Sequence, residues 1–161
     1  MSVRKQKWAV TAGAAFSLLV ALAFSFSVRA TEKPGVFNRI ATFPVIFNLC
    51  DGDPDPNTCL NATTVSEIVA ASEDGRTLIY TDAETGNIGF VDITNPAHPL
   101  PGGVLNLGGS PTSVDVVGSY ALVTVDNTAG DFITPSGALK IVHIPTKDLI
   151  TTIDLGGQPD A

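Results

Sequence analysis

From residue 66 onward, short apolar runs alternate with clusters of glycine, proline, asparagine and aspartate. The runs are rich in valine, isoleucine, leucine, threonine and tyrosine, which is the pattern of strands separated by turns. Eight strands are predicted, at residues 66–71, 77–82, 87–93, 103–107, 112–117, 120–126, 138–144 and 148–155. Asp74-Gly75 and Gly118-Ser119 suit hairpin turns, because glycine and aspartate tolerate positive φ. The pattern therefore predicts an all-β protein with little helix.

The eight predicted strands form two groups of four that resemble each other. The segment 108–111 (Gly-Gly-Ser-Pro) recurs 48 residues later as Gly-Gly-Gln-Pro. Residues 90–93 match 141–144, and residues 78–82 match 122–126. Most of the strands are apolar on both faces, as in a sheet that is covered on both sides. A period of this length with four antiparallel strands per unit predicts the blades of a β-propeller, about two of them in an incomplete ring. A right-handed β-helix is the alternative, although its coils are usually shorter.

Two segments resemble known propeller repeats. Residues 90–99 (Phe-Val-Asp-Ile-Thr-Asn-Pro-Ala-His-Pro) resemble the LVIVD repeat of secreted bacterial and archaeal propellers. Residues 71–80 resemble the Ser-Pro-Asp-Gly hairpin of YVTN-type propellers, with Glu73 in place of the usual proline. The second unit departs from the pattern, since residues 144–147 (Ile-Pro-Thr-Lys) replace the Asn-Pro-x-x-Pro turn. The resemblance covers residues 66–161 and implies two propeller repeats, 66–111 and 112–161, at the N-terminal end of a longer exported protein.

The first thirty residues predict a signal peptide. Arg4, Lys5 and Lys7 form a basic start, residues 8–26 are almost wholly apolar or small, and Val28-Arg29-Ala30 fits a cleavage site. We therefore expect a secreted, periplasmic or cell-surface protein. The apolar run approaches the roughly 20 residues that span a bilayer, so an uncleaved membrane anchor is the alternative.

The charge of the chain is acidic. The sequence has 9 Lys and Arg against 16 Asp and Glu, and four of the basic residues lie in the predicted signal peptide. Such a surface repels nucleic acid and favours cations, so we expect no nucleic-acid partner.

Residues 31–65 are predicted to hold a strand and an acidic loop. The strand is expected within residues 36–49, where residues 37–43 would pair with C-terminal strands of the ring. Cys50 and Cys59 are the only cysteines, and an exported chain favours a disulfide between them. The intervening Asp-rich segment does not fit an EF-hand, because Pro56 and Ala62 occupy the positions of the required glycine and glutamate.

Acidic side chains recur at one predicted rim. In an up-and-down sheet of four strands, the loop after the second strand lies on the same side as the connection to the next sheet. This places Asp82 and Glu84, Asp126 and Asp131 together with both Gly-Gly-x-Pro turns. Asp82 and Asp126 are candidate Ca²⁺ ligands, since calcium takes six to eight oxygen atoms. The alternative is that both aspartates bond to turn amides at strand ends.

The sequence offers no recognised catalytic set. His98 and His143 have no nucleophile motif beside them, and no phosphate-binding glycine-rich loop precedes a helix. We therefore expect a binding or scaffold module for an extracellular protein or a small ligand, without catalysis in this segment. The alternative, implied by phytase-like propellers, is the N-terminal part of a calcium-dependent phosphoesterase. Uncovered outer sheet faces also predict self-association of this segment on its own.

Overall fold

The computed structural model of the chain describes residues 38–50, 62–131 and 133–159. The predicted signal peptide lies outside these residues, as do Cys59 and the acidic loop around it. Every described element belongs to one compact unit that begins at Arg39. These elements are α1 Ile46–Leu49, β1 Ser66–Ala71, β2 Thr77–Asp82, β3 Asn87–Asp92, β4 Leu100–Asn106, β5 Ser110–Val117, β6 Tyr120–Asp126, β7 Gly137–His143 and β8 Asp148–Asp154.

The predicted all-β class is confirmed. The eight strands form two antiparallel four-stranded sheets, β1-β2-β3-β4 and β5-β6-β7-β8, each in simple sequence order. β4 and β5 begin earlier than predicted, at Leu100 and Ser110. Both extensions include a proline, which weakens the strand pattern in the sequence but is accepted on an edge strand.

The strand predicted within residues 36–49 is wrong for the part that the structure describes. Residues 38–44 have no strand partner, and residues 46–49 form the short helix α1. The Phe47 N–H donates to the Pro44 carbonyl at 3.1 Å, and the Asn48 N–H donates to the Val45 carbonyl at 3.0 Å. The segment is apolar, but Asn48 is bonded to distant parts of the first sheet, and these tertiary contacts override the local β propensity.

The core lies between the two sheets. Its buried side chains come from one face of each sheet. They include Ile79, Ile88, Phe90 and Leu107 of the first sheet and Val114, Ala121, Val123 and Val142 of the second. Polar contacts also join the two sheets. The backbone N–H of Gly118 donates to the Glu73 carboxylate at 2.6 Å, and the Lys140 ammonium donates to the carbonyl of Leu107.

The two sheets are hydrogen-bonded in the same way. The Ile93 N–H donates to the Arg76 carbonyl at 2.8 Å, and the Ile144 N–H donates to the Ser119 carbonyl at 2.9 Å. When the two sheets are aligned on these hydrogen bonds, the register shift between the third and fourth strands falls at the same position in both. Corresponding residues can therefore be identified from the backbone alone.

The backbone alignment differs from the sequence match in the second strand of each sheet. It equates Phe90 with Ile141, as the sequence match does, because Asp92 pairs with Thr77 and His143 pairs with Tyr120. In the second strand, however, it equates Ile79 with Leu122, whereas the match of residues 78–82 with 122–126 would equate Ile79 with Val123.

Asn48 completes the β-bulge of the first sheet. Gly89 pairs with Val104 and Val91 pairs with Pro101, so Phe90 faces two residues, Gly102 and Gly103. The side-chain amide of Asn48 donates to the Phe90 carbonyl at 2.9 Å, and its oxygen accepts from the N–H groups of Gly102 and Gly103 at 3.0 and 3.2 Å. Asn48 is only 2% exposed. Its side chain therefore forms hydrogen bonds with the backbone groups that the bulge leaves unpaired between the strands.

Tyr80 and Gly89 form a cross-strand pair on the outer face of the first sheet. They are direct antiparallel partners, and the tyrosine ring lies over the glycine. A Cβ added to Gly89 would stand 2.0 Å from Cζ of Tyr80, so no side chain fits there. The Tyr80 hydroxyl accepts a hydrogen bond from the Asn48 amide at 3.0 Å, and burial raises its pKa above the ordinary value. This pair and Asn48 attach α1 to the sheet.

Candidate functional site

The Asp82 carboxylate is hydrogen-bonded to backbone N–H groups. It is buried at the end of β2, and its Oδ1 accepts from the N–H of Val65 at 3.0 Å and from that of Thr85 at 3.4 Å. The carboxylate thus holds the entry to β1 against the turn after β2. This is the turn-amide bonding proposed as the alternative to calcium ligation.

Asp126 makes similar bonds from a different position. Its Oδ1 accepts from the Thr128 N–H at 2.8 Å, and its Oδ2 accepts from the Gln158 side chain at 3.0 Å. Side chains alternate between the faces of a strand, and the backbone alignment equates Asp82 with Val125 rather than with Asp126. The two aspartates therefore point to opposite faces of their sheets.

The predicted rim does bring the loops together, although not as a ligand cage. Gln158 of the second Gly-Gly-x-Pro turn contacts Asp126, and the Ser110 hydroxyl of the first contacts the Ala83 carbonyl at 3.5 Å. Asp131 accepts hydrogen bonds from Thr134 and Ile133 within its own loop. Across residues 38–50, 62–131 and 133–159, no three His, Cys, Asp or Glu side chains are grouped to hold a metal ion. Calcium binding at Asp82 and Asp126 remains a prediction.

One of the two cysteines, Cys50, lies among the described residues. Cys50 follows α1, and none of the described cysteines is free. Its expected partner Cys59 lies outside the described residues, so the disulfide remains a prediction.

Acid should destabilise the fold through its turn carboxylates. Four of these have pKa values below the ordinary 3.8, because each accepts hydrogen bonds from the hydroxyl or backbone N–H of a nearby serine or threonine: Asp74, Asp92, Asp126 and Asp131. A carboxyl whose pKa is lower in the folded state contributes stability above its unfolded pKa, and that contribution is lost as the pH falls through the folded value.

We therefore expect the free energy of unfolding, measured with urea at a series of pH values, to decrease as the pH falls below about 4. The Asp126→Asn variant should lose less over the same interval, because one of the titrating groups is gone. Identical pH slopes for the variant and the wild type would contradict this account of Asp126.

A cleft lies between the two sheets, at the end opposite the acidic loops. Its volume is about 720 Å³. We call it the inter-sheet cleft. It is bounded by the β1–β2 and β5–β6 turns and by the segments that follow β3 and β7. The hydrogen bond between Glu73 and Gly118 crosses it and fixes the distance between the two turns.

The inter-sheet cleft combines apolar and charged groups. Phe90, Pro101, Ile144 and Pro145 contribute apolar surface to its lining. Its carboxylates are already engaged: Glu73 accepts from Gly118, Asp74 from Ser72 and Arg76, and Asp92 from Thr94. The cleft therefore offers its remaining charged groups, which are cationic, to a ligand.

Those cations are Arg76 and Lys147. The Lys147 ammonium lies 5.8 Å from the centre of the Phe90 ring, a cation–π distance. Lys147 has a φ of 60°, a left-handed conformation that is uncommon for a residue with a side chain, and its N–H donates to the His143 carbonyl at 2.7 Å. In the described part of the chain, neither cation is hydrogen-bonded to a carboxylate. Both can pair with an anionic group that enters the cleft.

The histidines are outside this arrangement. His143 Nδ1 lies 2.9 Å from the Thr146 hydroxyl, and its ring packs on Tyr120 at the outer face of the second sheet. The backbone N–H of His98 donates to the Asn95 carbonyl at 2.9 Å within the β3–β4 turn. These are the contacts of turn and sheet residues.

Sequence reasoning missed the inter-sheet cleft. Its walls come from four separate turns, and no motif marks them jointly. One signal was present: Glu73 stands where the hairpins that this segment resembles have proline, and its carboxylate accepts a hydrogen bond from Gly118 of the next sheet.

Comparison of the sequence with protein-family models and with curated proteins finds no match. Among the described residues, no helix has the length and apolar character needed to cross a membrane.

Proposed function

We propose that this chain is a segment of an exported β-propeller of the LVIVD and YVTN-like class, and that it acts as a binding or scaffold module without catalysis in this segment. Two similar four-stranded sheets packed face to face support the propeller assignment. Export is supported by the basic and apolar character of the first thirty residues.

The inter-sheet cleft is the observation that carries the binding role. It is large enough for a small ligand, and it combines apolar surface with a few charged groups, as ligand sites commonly do. Its carboxylates accept hydrogen bonds from turn amides and hydroxyls, whereas Arg76 has only an electrostatic interaction with Asp74 and Lys147 lies over the Phe90 ring. We infer that it binds a ligand, or the side chain of a partner protein, with an apolar body and a carboxylate.

Benzoate is a direct probe of this proposal, because it has an aromatic ring and a carboxylate. Titrated into the ¹⁵N-labelled protein, it should shift the amide NMR signals of Gly102, Gly118 and Ser119, which line the cleft. Arg76→Gln and Lys147→Gln should each weaken its affinity about 2- to 5-fold, as expected for one partly exposed ion pair.

Two controls make the experiment specific. Benzylamine has the same ring with the opposite charge and should shift these signals much less. Arg39→Gln removes an exposed cation that does not line the cleft and should leave benzoate binding unchanged. Equal effects of benzoate and benzylamine, or equal effects of the Arg39 and Lys147 variants, would contradict the proposal.

A further inference from the structure

One carboxylate of the inter-sheet cleft reaches across to the opposite wall. Asp74 and Asp92 also line the cleft, but they accept hydrogen bonds within their own turns, from residues two positions away in sequence. The Glu73 carboxylate instead accepts from the Gly118 N–H at 2.6 Å, and these two residues are 45 positions apart. Because this bond joins the β1–β2 turn to the β5–β6 turn, the Glu73 side chain lies across the space that a ligand would enter.

The Gly118 N–H is a donor that the strands do not use. Gly118 and Ser119 form the two-residue turn between β5 and β6, and the strand pairing ends at Val117 and Tyr120. Gly118 has a φ of 59°, the left-handed conformation that such turns require. Its N–H therefore takes no part in the ladder and bonds to the acceptor that the cleft provides.

The neighbours of this donor favour an anion. Arg76 and Lys147 line the same cleft as Gly118. Backbone N–H groups, guanidinium and ammonium groups are the donors that bind carboxylates most strongly in proteins. Glu73 thus occupies, from within the chain, the kind of position that the carboxylate of a ligand would take.

Glu73 can leave this position without opening the fold. Both Glu73 and Gly118 are exposed, so their hydrogen bond adds little to stability. The two sheets are held together by buried apolar side chains such as Ile79, Phe90 and Val123. When a ligand carboxylate replaces Glu73, one bond between a carboxylate and an amide is exchanged for another.

We propose that Glu73 is an internal competitor of the ligand: its carboxylate occupies the Gly118 N–H in the free protein, and the carboxylate of a ligand displaces it. This inference rests on the proposed binding role of the inter-sheet cleft. The contact is autoinhibitory, because the apparent affinity is reduced to the extent that Glu73 occupies the donor. It also favours anionic ligands, since an uncharged molecule does not replace the bond that Glu73 gives up.

Glu73→Ala removes the competitor. Benzoate should bind this variant about 3- to 10-fold more tightly than it binds the wild type, as measured from the amide NMR signals of Gly102 and Ser119. A glutamate that only fixed the distance between the two turns would give the opposite result, because its removal would weaken binding. Glu73 lies in an exposed turn, so the variant should keep the circular dichroism spectrum of the wild type.

The amide signal of Gly118 reports the exchange directly. In the ligand-free Glu73→Ala variant its proton resonance should move upfield, because a short hydrogen bond to a carboxylate is lost. Saturation with benzoate should return it toward its position in the wild type. Identical Gly118 signals in the two ligand-free proteins would show that Glu73 does not occupy this donor, and would overturn the proposal.

Two control variants separate competition from a general effect of charge. Asp92→Asn removes one negative charge from the cleft but leaves Glu73 on Gly118, so it should raise benzoate affinity less than Glu73→Ala does. Glu84→Ala removes an exposed carboxylate that does not line the cleft and should leave the affinity unchanged. Equal increases for Glu73→Ala and Asp92→Asn would overturn the proposal.

The outcomes also distinguish this inference from the proposed function. If benzoate binds the wild type, and binds Glu73→Ala no more tightly, the cleft takes carboxylates but Glu73 does not compete with them. If benzoate binds neither protein, the proposed function fails and the inference fails with it.

Discussion

Replacing Asn48 with alanine should lower the free energy of unfolding by about 3 kcal/mol, because one buried and two partly buried backbone groups lose their partners together. The Phe90 carbonyl and the N–H groups of Gly102 and Gly103 all bond to this one side chain. Each unsatisfied buried group costs about 1 to 3 kcal/mol, and partial entry of water reduces the total. The Tyr80 hydroxyl also loses a donor.

Urea unfolding followed by circular dichroism measures this loss. Asn95→Ala is a matched control, because Asn95 also bonds a backbone N–H through its side chain, at 3.2 Å, but in an exposed turn. That variant should lose less than about 1 kcal/mol. If Asn48→Ala lost no more than Asn95→Ala, the bulge would not depend on Asn48 in the way described.

Placing alanine at Gly89 should lower the free energy of unfolding by about 3 kcal/mol, although alanine is otherwise the better strand residue of the two. The new Cβ would stand 2.0 Å from the Tyr80 ring, which would have to move. The moving ring would carry its hydroxyl away from Asn48 and from the Val45 carbonyl. Steric strain and lost hydrogen bonds therefore add.

A double-mutant cycle with Tyr80→Val tests whether the ring is the cause. In the Tyr80→Val background, Gly89→Ala should cost nothing or should stabilise slightly, because the space above the strand is then empty. Gly157→Ala serves as the control, since a Cβ at Gly157 would meet no atom within 4 Å. An undiminished cost of Gly89→Ala in the Tyr80→Val background would show that the backbone at Gly89, rather than Tyr80, excludes a side chain.

The strands were predictable from sequence because their evidence is local. The limits of β1, β2 and β6 agree with the apolar runs that predict them, since turn residues bound these runs on both sides. The pairing of equivalent positions was less predictable. A one-residue difference in register depends on which residues pair between β2 and β3 and between β6 and β7, and the similarity of residues 78–82 to 122–126 does not report that pairing.

Features that depend on distant partners were missed. Asn48 looks like a polar interruption in an apolar run, and its role is defined by Phe90 and Gly102, which lie 42 and 54 residues away in sequence. The inter-sheet cleft depends in the same way on the approach of the β1–β2 and β5–β6 turns. Asp82 and Asp126 were correctly placed at strand ends, but their opposite orientations follow from the register and were not foreseen.

The dependence of the first bulge on Asn48 also affects how the protein opens. The hairpins of the first sheet need only local contacts, whereas Asn48 reaches the bulge by closing a loop of more than fifty residues to Gly102 and Gly103. Release of the segment around α1 would therefore expose the amides of Gly102 and Gly103 while the core between the sheets stays closed. In native-state hydrogen exchange, we therefore expect these amides to exchange through a local opening that requires less free energy than global unfolding.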